Sequence, residues 1–324
     1  MNIRTKLVMT FALCGIVPLL IAGVVLYTTT MKNMESLQNS GVAQLESKVS
    51  NALIAQRSIK ANNVKDYFGQ IQDQAITFTQ NLMVIDAMQS FASAYDSYID
   101  ERGLSTEALA EQKRALWSYY AQDFTLEFAA HNDATADMAT YFDHLSPAAI
   151  ALQHTFIHAN PHPLGSKHEL SELPADDSAY AAAHERFHPS VNSYLQSFGF
   201  YDIFLVEPRN GTIVYSVFKE LDYGTSLIDG PVAQSNLGRA FRAANRMSSP
   251  DDCALVDFEA YLPSYNAPAS FIASPIFDGD TKVGIAIFQM PVSRITALMA
   301  DRAGLGESGE TILVGPDMRM RSNS

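Results

Sequence analysis

The sequence predicts an α+β protein in which a long helical N-terminal half precedes an antiparallel sheet. Residues 32–100 contain no proline and only two glycines, and apolar side chains recur there at intervals of three and four, which is the pattern of an amphipathic helix. From Tyr201 onward, β-branched and aromatic runs alternate with turn residues, which indicates strands. Residues 7–27 form one uncharged apolar segment near the N-terminus, so the chain combines a membrane-type segment with a globular part.

Net charge and cysteine content argue against two classes of protein, nucleic-acid binders and disulfide-rich scaffolds. The 324 residues include 22 Lys and Arg against 35 Asp and Glu, for a net charge of −13. This acidity argues against a general nucleic-acid binder, because no basic excess is present to neutralise phosphates. Two cysteines, Cys14 and Cys253, are too few for a disulfide-rich scaffold. We therefore expect a globular protein with its own core and no nucleic-acid partner.

The segment from Leu7 to Tyr27 predicts a transmembrane helix. Its 21 residues span roughly 30 Å at about 1.5 Å per residue, which is the thickness of a bilayer core. A cleaved secretory signal is the alternative, but its apolar region has only about 7–15 residues. Arg4 and Lys6 precede the segment, so the positive-inside rule makes residues 1–6 cytoplasmic. The expected location is the cell (inner) membrane, with a single pass in this chain and a periplasmic or other extracytoplasmic bulk.

Helices are predicted for most of residues 32–198. We expect a long stalk helix over residues 32–100, followed by a helical insert over residues 101–198. The stalk carries two apolar seams, one including Val42, Leu45 and Val49 and the other including Phe68, Ile71 and Phe78. Such seams indicate packing against the rest of the domain or against a second copy, and the two interpretations are compatible. The sequence does not separate them, and a homodimer is expected only from the seam together with the family resemblance described below.

Five strands and one crossing helix are predicted after the insert. Asn210-Gly211 lies between two β-rich runs, which is a strong hairpin signal. An amphipathic helix from Leu237 to Arg246 follows, and then three further strands. A five-stranded antiparallel sheet with a helix between its second and third strands is a PAS-like arrangement. The predicted segments are strands at 202–206, 212–217, 256–261, 270–277 and 282–289 within a lobe at 199–292, a connecting helix and turn at 293–309, and the start of a second PAS-like lobe at 310–324.

Motifs for catalysis are weak. His184-Glu185-Arg186-Phe187-His188 matches H-E-x-x-H, in which two histidines bind zinc and the glutamate acts as a base. The third histidine of the extended pattern is replaced by Tyr194, and Glu207, at the spacing of a glutamate ligand, lies in the hairpin. Because Pro189 limits the helix, we expect surface or locally bonded histidines at a helix end. We therefore expect a protein that is not an enzyme and has no cofactor. An exported zinc hydrolase using His184, Glu185 and His188 is a remote alternative.

Two further clusters have structural interpretations. All eight histidines lie between residues 131 and 188, and four of them, at 154, 158, 162 and 168, are candidates for a loose metal or pH site. Without clustered carboxylates or cysteines, polar loop and cap roles are favoured. The glycines at 304, 306 and 309 follow a helix and precede a strand, which is the wrong order for a dinucleotide loop. We expect an inter-lobe turn there.

The segment from Tyr215 to Tyr223 is the best candidate for a binding site. It interleaves aromatic and charged residues where the chain leaves the hairpin, a mixture that suits a small polar ligand. The alternative is an ordinary strand end with solvated Lys219 and Glu220. The candidate ligand-binding residues are Tyr201, Asp202, Tyr215, Phe218, Lys219, Asp222, Tyr223, Ser270 and Phe271.

Several motifs together resemble the sensor region of bacterial methyl-accepting chemotaxis proteins with a double Cache domain. They are Phe200-Tyr-Asp-Ile-Phe-Leu-Val206, Ile213-Val-Tyr-Ser-Val-Phe-Lys-Glu-Leu-Asp222, Ala273-Ser-Pro-Ile-Phe-Asp-Gly279, Phe288-Gln-Met-Pro291, Gly304-Leu-Gly-Glu-Ser-Gly-Glu310 and Asn160-Pro-His-Pro-Leu-Gly-Ser-Lys167. The resemblance implies an extracytoplasmic receptor that binds a small ligand, such as an amino acid, an organic acid or an amine, in its distal lobe. In the family, a second membrane helix and a HAMP linker carry the signal to a cytoplasmic hairpin, which works with a coupling protein and the chemotaxis kinase. Related sensors feed histidine kinases or nucleotide cyclases, so these outputs stand as alternatives.

The end of the sequence departs from the family plan. Residues 310–324 correspond to the first strands of the proximal lobe, and no second membrane span, HAMP linker or methylatable helix follows them. The resemblance therefore implies an N-terminal fragment of a receptor, with one distal lobe and the beginning of another.

Overall fold

The computed structural model describes residues 2–323, which form a helical N-terminal half followed by a five-stranded antiparallel sheet. The predicted α+β fold class is confirmed. The chain divides into two compact units, residues 2–62 with Arg302–Gly309 and residues 63–301 with 310–323. The second unit contains the sheet and the buried core.

Helix α1 spans Ile3–Thr79 and contains the predicted membrane segment. Its N-terminal part includes the one stretch in residues 2–323 that is long and apolar enough to cross a bilayer. The side chains of residues 7–27 are exposed, and Pro18 lies inside the helix. These features are compatible with a single membrane span.

The predicted stalk helix over residues 32–100 is wrong in one respect, because the structure divides it in two. Helix α1 ends at Thr79 and helix α2 spans Leu82–Glu101. Asn81 lies between them, and its side chain accepts a hydrogen bond from the Met83 backbone at 2.9 Å. An asparagine in this extended N-cap conformation starts a new helix rather than continuing the old one.

Helix α2 packs closely against the sheet. It buries one face that includes Val84, Met88 and Phe91. A Cβ atom built on Gly284 would lie 2.4 Å from the Met88 Cγ and Sδ atoms, which is far inside van der Waals contact. The absence of a side chain at residue 284 therefore allows α2 its present distance from the strand.

The predicted helical insert contains α-helices of 6 to 20 residues separated by turns and loops. Two π-helical turns, Tyr120–Phe124 and His154–His158, interrupt it, and a 3₁₀ turn covers Lys167–Glu169. The α-helices are α3 (Thr106–Tyr119), α4 (Thr125–His131), α5 (Met138–Asp143), α6 (Pro147–Gln153) and α7 (Ala179–Phe198).

Helix α7 corrects the expectation that Pro189 limits the helix after His188. The helix continues through Pro189 to Phe198 and ends at Gly199, which adopts a left-handed conformation with φ 72°. An interior proline forfeits one backbone hydrogen bond. Burial of Phe187, Val191 and Leu195 on either side of it offsets that loss.

The sheet has the predicted PAS-like arrangement. Its order is β2-β1-β5-β4-β3, with every neighbouring pair antiparallel. The predicted hairpin at Asn210-Gly211 is confirmed, since Val206 pairs with Ile213 and Gly211 has φ 71°. The elements are β1 (Asp202–Val206), β2 (Ile213–Ser216), α8 (Asn236–Asn245), β3 (Ala254–Tyr261), β4 (Ala267–Asp278) and β5 (Thr281–Pro291).

The segment after the sheet is less regular than predicted. Helix α9 spans Val292–Ala300, and the glycine-rich residues after it form turns. The strand expected at 310–314 is reduced to one bridge between Val314 and Met320, because the chain turns back at Gly315-Pro316. Arg321 holds this segment through Asp257, with an N–O distance of 2.8 Å.

Candidate functional site

The start of β1 places a carboxylate in a row of residues that crosses the sheet. Asp202 pairs with Gln289 of β5, which pairs with Phe271 of β4. Residues paired in this way point to the same face of a sheet. Three side chains that are distant in sequence are thereby brought onto one face, at the place where β2 leaves the sheet.

Asp202 is fully buried and organises the backbone of the segment after β2. Its Oδ1 atom accepts hydrogen bonds from the amides of Ile203 at 2.6 Å, Val217 at 2.9 Å and Phe218 at 3.0 Å. Its Oδ2 atom accepts from the Ser216 hydroxyl at 2.7 Å. Burial raises the pKa of Asp202 to about 6, although these hydrogen bonds oppose the rise.

Lys219 is also fully buried and has a strained backbone. Its φ of 58° is uncommon for a residue with a side chain. Its ammonium donates to the Val217 carbonyl at 3.1 Å and lies 5.8 Å from the centre of the Tyr215 ring. Burial lowers its pKa to about 7, against the opposing charge of Asp202.

Glu220 is half-buried and has a hydrogen-bond donor on each oxygen. Tyr201 donates to Oε1 at 2.7 Å and Ser264 donates to Oε2 at 3.0 Å. Gln289 in turn donates to the Ser264 hydroxyl at 3.0 Å. Burial, and then the charge of Asp222, raise the pKa of Glu220 well above its usual value.

Asp222 lies beside these groups and is only partly satisfied. Tyr261 donates to Oδ2 at 2.5 Å, whereas Oδ1 has no hydrogen-bond partner among residues 2–323. The Gln289 Oε1 atom and the Tyr141 hydroxyl are likewise buried without a partner in this part of the chain. Burial, followed by the charge of Asp202, raises the pKa of Asp222 to about 7.

A small cavity adjoins this cluster. Its volume is about 20 Å³, which is room for one water molecule. Two of its lining residues, Lys219 and Tyr265, have left-handed backbones with φ of 58° and 54°. The cavity is lined by Tyr119, Phe124, Leu164, Gly165, Lys167, Phe218, Lys219, Glu220, Leu221, Pro263 and Tyr265.

The structure brings together part of the set of candidate site residues. Besides Asp202, Lys219 and Asp222, the Tyr201 and Phe218 rings meet at 4.7 Å between centroids. The Phe271 ring packs edge-on against Tyr261 at 5.1 Å. These contacts join six of the nine predicted residues to one polar cluster, which we define as Asp202, Lys219, Glu220 and Asp222 with their hydrogen-bond partners.

Three candidates lie elsewhere. Ser270 is adjacent to Phe271 on β4 and therefore points to the opposite face, where its hydroxyl donates to the Val256 carbonyl at 2.7 Å. Tyr223 donates to the Tyr180 hydroxyl at 2.7 Å, and Tyr215 shares a 2.7 Å hydrogen bond with His188 Nδ1. Both tyrosines belong to the buried contact with α7.

The H-E-x-x-H residues do lie on one helix, where the two histidines are buried and packed whereas Glu185 is exposed. The rings of His184 and His188 stack with centroids 4.3 Å apart. His188 uses both nitrogens within the protein, one toward Tyr215 and the other 2.7 Å from the His168 carbonyl. Burial, and then the charge of Lys219, lower the pKa of His188 to about 2, so the ring is neutral at physiological pH.

The glutamate of the motif makes a structural contact. Glu185 accepts a hydrogen bond from the Leu173 backbone at 3.0 Å. Residues 2–323 contain no group of three His, Cys, Asp or Glu side chains arranged to hold a metal ion. The surface part of the expectation is wrong because both histidines are buried, whereas local hydrogen bonding is confirmed for His188. The pair packs between α7 and β2.

Sequence reasoning missed several residues of the polar cluster. Gln153 of α6 receives a hydrogen bond from the Tyr120 hydroxyl and donates to the carbonyls of Leu221 at 2.9 Å and Tyr223 at 2.7 Å. It thus clamps the segment that carries Asp222. Gln153 and Gln289 each interrupt an apolar run, and a buried polar residue of this kind was the available signal.

Comparisons with known proteins give low similarity throughout. No protein-family model and no curated protein matches the sequence. Among solved structures, the sensor domain of the V. cholerae histidine kinase DctB matches at 15% identity over 59% of this chain and 62% of that chain, with a TM-score of 0.28. The ligand-binding domain of the Campylobacter jejuni chemoreceptor Tlp3 with L-valine matches at 11% identity over 72% of this chain and 73% of that chain, with a TM-score of 0.31. The ligand-binding domain of the Pseudomonas fluorescens chemoreceptor CtaA with L-serine matches at 15% identity over 65% of this chain and 73% of that chain, with a TM-score of 0.27.

Proposed function

We propose that this chain is the ligand-sensing portion of a transmembrane chemoreceptor, and that its ligand binds at the polar cluster beside β2. The observation that carries the proposal is a polar cluster with buried, partnerless acceptors next to a small cavity whose lining includes strained backbone. Asp222 Oδ1 and Gln289 Oε1 have no partner among the described residues, and buried polar atoms are otherwise almost always paired. Left-handed non-glycine residues such as Lys219 and Tyr265 concentrate at ligand sites and switches.

The charge balance favours a ligand that carries an ammonium group. With all groups ionised, Asp202, Glu220 and Asp222 outweigh Lys219 by two negative charges. A cationic group beside a buried carboxylate lowers the cost of ionising it. An ammonium also brings three N–H donors, which is enough for both partnerless acceptors. Within the predicted ligand classes, amines and amino acids are therefore favoured over organic acids.

Binding requires the site to open. A volume of about 20 Å³ is far below the 300–1,000 Å³ typical of small-molecule sites. Leu164 and Gly165 belong to the loop before Lys167, and Pro263 and Tyr265 belong to the turn after β3. Displacement of these two segments would create the room, and ligand would then select the open arrangement over the closed one.

The proposed topology follows the predicted boundaries. Residues 1–6 are cytoplasmic, residues 7–27 cross the membrane, and the lobe at 199–292 senses ligand outside the cytoplasm. The apolar segment within α1 supports this proposal. Alkaline phosphatase fused after Ser324 should be active, since it folds only outside the cytoplasm, and an inactive fusion in a stable membrane protein would reverse the topology.

The early seam of α1 supports a homodimer. Leu45, Val49 and Leu53 are exposed along this stretch of the helix, as expected for a surface between two copies. We expect Val49→Cys in a Cys14→Ser, Cys253→Ser background to form a disulfide-linked dimer under mild oxidation. The exposed polar position Ser50 provides the control as Ser50→Cys, and equal cross-linking of both variants would contradict a specific seam.

A thermal-shift screen of the full chain in detergent tests the ligand proposal. The panel contains amino acids, amines and organic acids, and a ligand that binds the folded state raises the unfolding temperature. An amine or amino acid should give the shift, and Lys219→Ala and Asp222→Ala should reduce it. Asp229→Ala is the matched control because Asp229 is exposed. A shift that survives both cluster substitutions would show that the ligand binds elsewhere.

A further inference from the structure

A second and larger cleft lies on the helical insert. Its volume is about 390 Å³, which is within the range of small-molecule sites. None of its lining residues lines the cavity beside the polar cluster. It is lined by Arg102, Gln112, His154, Thr155, Ala159, Asn160, Pro161, Leu170 and residues 172–176.

Arg102 supplies a cation with unused donors. Its Nη1 atom donates to the Ala175 carbonyl at 3.1 Å and lies 3.5 Å from Asp176 Oδ1. Asp176 is already satisfied, because Tyr98 donates to Oδ2 at 2.8 Å and the Ser178 amide donates to Oδ1 at 3.1 Å. A guanidinium has five N–H donors in a planar fork, so Arg102 retains the capacity to bind a carboxylate.

Gln112 supplies an acceptor at the same cleft. Its Oε1 atom is shielded from solvent and has no hydrogen-bond partner within residues 2–323. Such an atom costs about 1–3 kcal/mol when left unpaired. A ligand donor placed against it would remove that cost, so Gln112 is an independent indication of a ligand.

The remaining wall is largely apolar. Leu170 and Leu173 are each 9% exposed, and Ala159, Pro161 and Pro174 line the cleft with them. Such a wall suits a ring or a short alkyl chain. Glu172 is exposed at the same cleft, and its negative charge disfavours a second carboxylate on the ligand.

We propose that this cleft is a binding site for a small monocarboxylate with an apolar body and a hydrogen-bond donor at its far end. The carboxylate binds the Arg102 guanidinium, the body packs on Leu170 and Leu173, and the donor binds Gln112 Oε1. This site is separate from the proposed sensing site: its ligand is an anion, whereas the sensing site favours a ligand that carries an ammonium group.

The test uses 4-hydroxyphenylacetate as a probe, because it combines a carboxylate, a ring and a hydroxyl donor. Isothermal titration of the full chain in detergent should detect binding. The matched neutral compound 4-hydroxyphenylacetamide and the donor-free phenylacetate should each bind at least tenfold more weakly. Arg102→Gln should weaken probe binding at least tenfold, whereas Arg114→Gln, at an exposed position of α3, should leave it unchanged.

A second variant covers the case in which Arg102→Gln disturbs the fold. Ala159 is exposed and lines the cleft, so Ala159→Phe should fill it and abolish binding without altering the core. Glu220→Gln should leave probe binding intact, which separates this proposal from that of the sensing site. Absence of probe binding at millimolar concentration, equal binding of the amide, or full binding to a folded Arg102→Gln or Ala159→Phe variant would overturn the proposal.

Discussion

Replacement of Asp222 by asparagine should stabilise the ligand-free protein at alkaline pH while removing ligand binding. Burial raises the pKa of Asp222 from 3.8 to about 7. A carboxyl group with a raised pKa contributes stability below pH 4, and that contribution is lost as pH rises through about 7. Asp222→Asn has no proton to lose, so it escapes this loss.

The magnitude follows from the pKa difference. Each pKa unit corresponds to about 1.36 kcal/mol, so a difference of roughly three units corresponds to about 4 kcal/mol at the alkaline limit. Roughly 2–3 kcal/mol of this develops between pH 5 and pH 8. The asparagine amide introduces a buried donor that costs about 1–3 kcal/mol. We therefore expect Asp222→Asn to lie within roughly 1 kcal/mol of wild type at pH 5 and to be roughly 1–3 kcal/mol more stable at pH 8.

Urea unfolding of the full chain in detergent measures this difference. Trp117 is the only tryptophan and contacts Phe142 at 5.2 Å between ring centroids, so its fluorescence reports on the unit that holds the site. The exposed Asp229→Asn is the control and should show no pH-dependent change. If Asp222→Asn were destabilised equally at pH 5 and pH 8, the assignment of a raised pKa to Asp222 would be wrong.

Three further substitutions test other contacts by the same measurement. Asp202→Ala should cost about 3–5 kcal/mol, since it removes the side-chain acceptor of the Ile203 and Phe218 amides and the Ser216 hydroxyl, and one of two acceptors of the Val217 amide; Asp202→Asn, which keeps one oxygen, should cost less, and equal costs would contradict the account. Tyr215→Phe should cost about 1–2 kcal/mol through loss of the His188 hydrogen bond, and a neutral result would mean that this bond contributes nothing. Gly238→Ala should destabilise strongly because its Cβ would lie 2.1 Å from the Ala233 carbonyl oxygen; Gly69→Ala, where nothing lies within 4 Å, should instead stabilise by about 0.5–1 kcal/mol, and the opposite order would refute the packing argument.

The sheet could be predicted because its signals are local. Strand periodicity can be recognised in consecutive residues, as can turn pairs such as Asn210-Gly211 and Asp278-Gly279. The structure has a strand pair at each turn, with Val206 opposite Ile213 and Asp278 opposite Thr281. The break between α1 and α2 was missed, because the apolar spacing continues across Asn81 and only its cap geometry ends the helix. The π-helical turns within the insert likewise depend on tertiary packing.

The candidate site was best predicted where its residues are close in sequence, although Tyr201, Asp202 and Phe271 were also among the predicted residues that reach it. Phe218, Lys219 and Asp222 follow one another after β2, and the mixture of rings and charges marked them. Tyr261, Ser264 and Gln153 reach the cluster from other elements, which no spacing rule brings together. Ser270 was misplaced because a strand turns adjacent side chains to opposite faces, and the sequence does not say which face meets the cluster.

The glycine at residue 284 makes the separation between α2 and the sheet an adjustable quantity. Helix α2 reaches the segment that carries Asp222 of the polar cluster through Tyr95, whose hydroxyl donates to the Gly224 carbonyl at 2.9 Å, and Arg102 of the proposed cleft directly follows its last residue. Alanine at 284 would place a Cβ atom against the Met88 side chain, which must then rotate away or push α2 from the sheet, without any ligand. Substitutions of increasing side-chain size at residue 284 would therefore test how the distance between α2 and the sheet affects ligand affinity. The affinity would be measured at both the proposed sensing site and the proposed cleft.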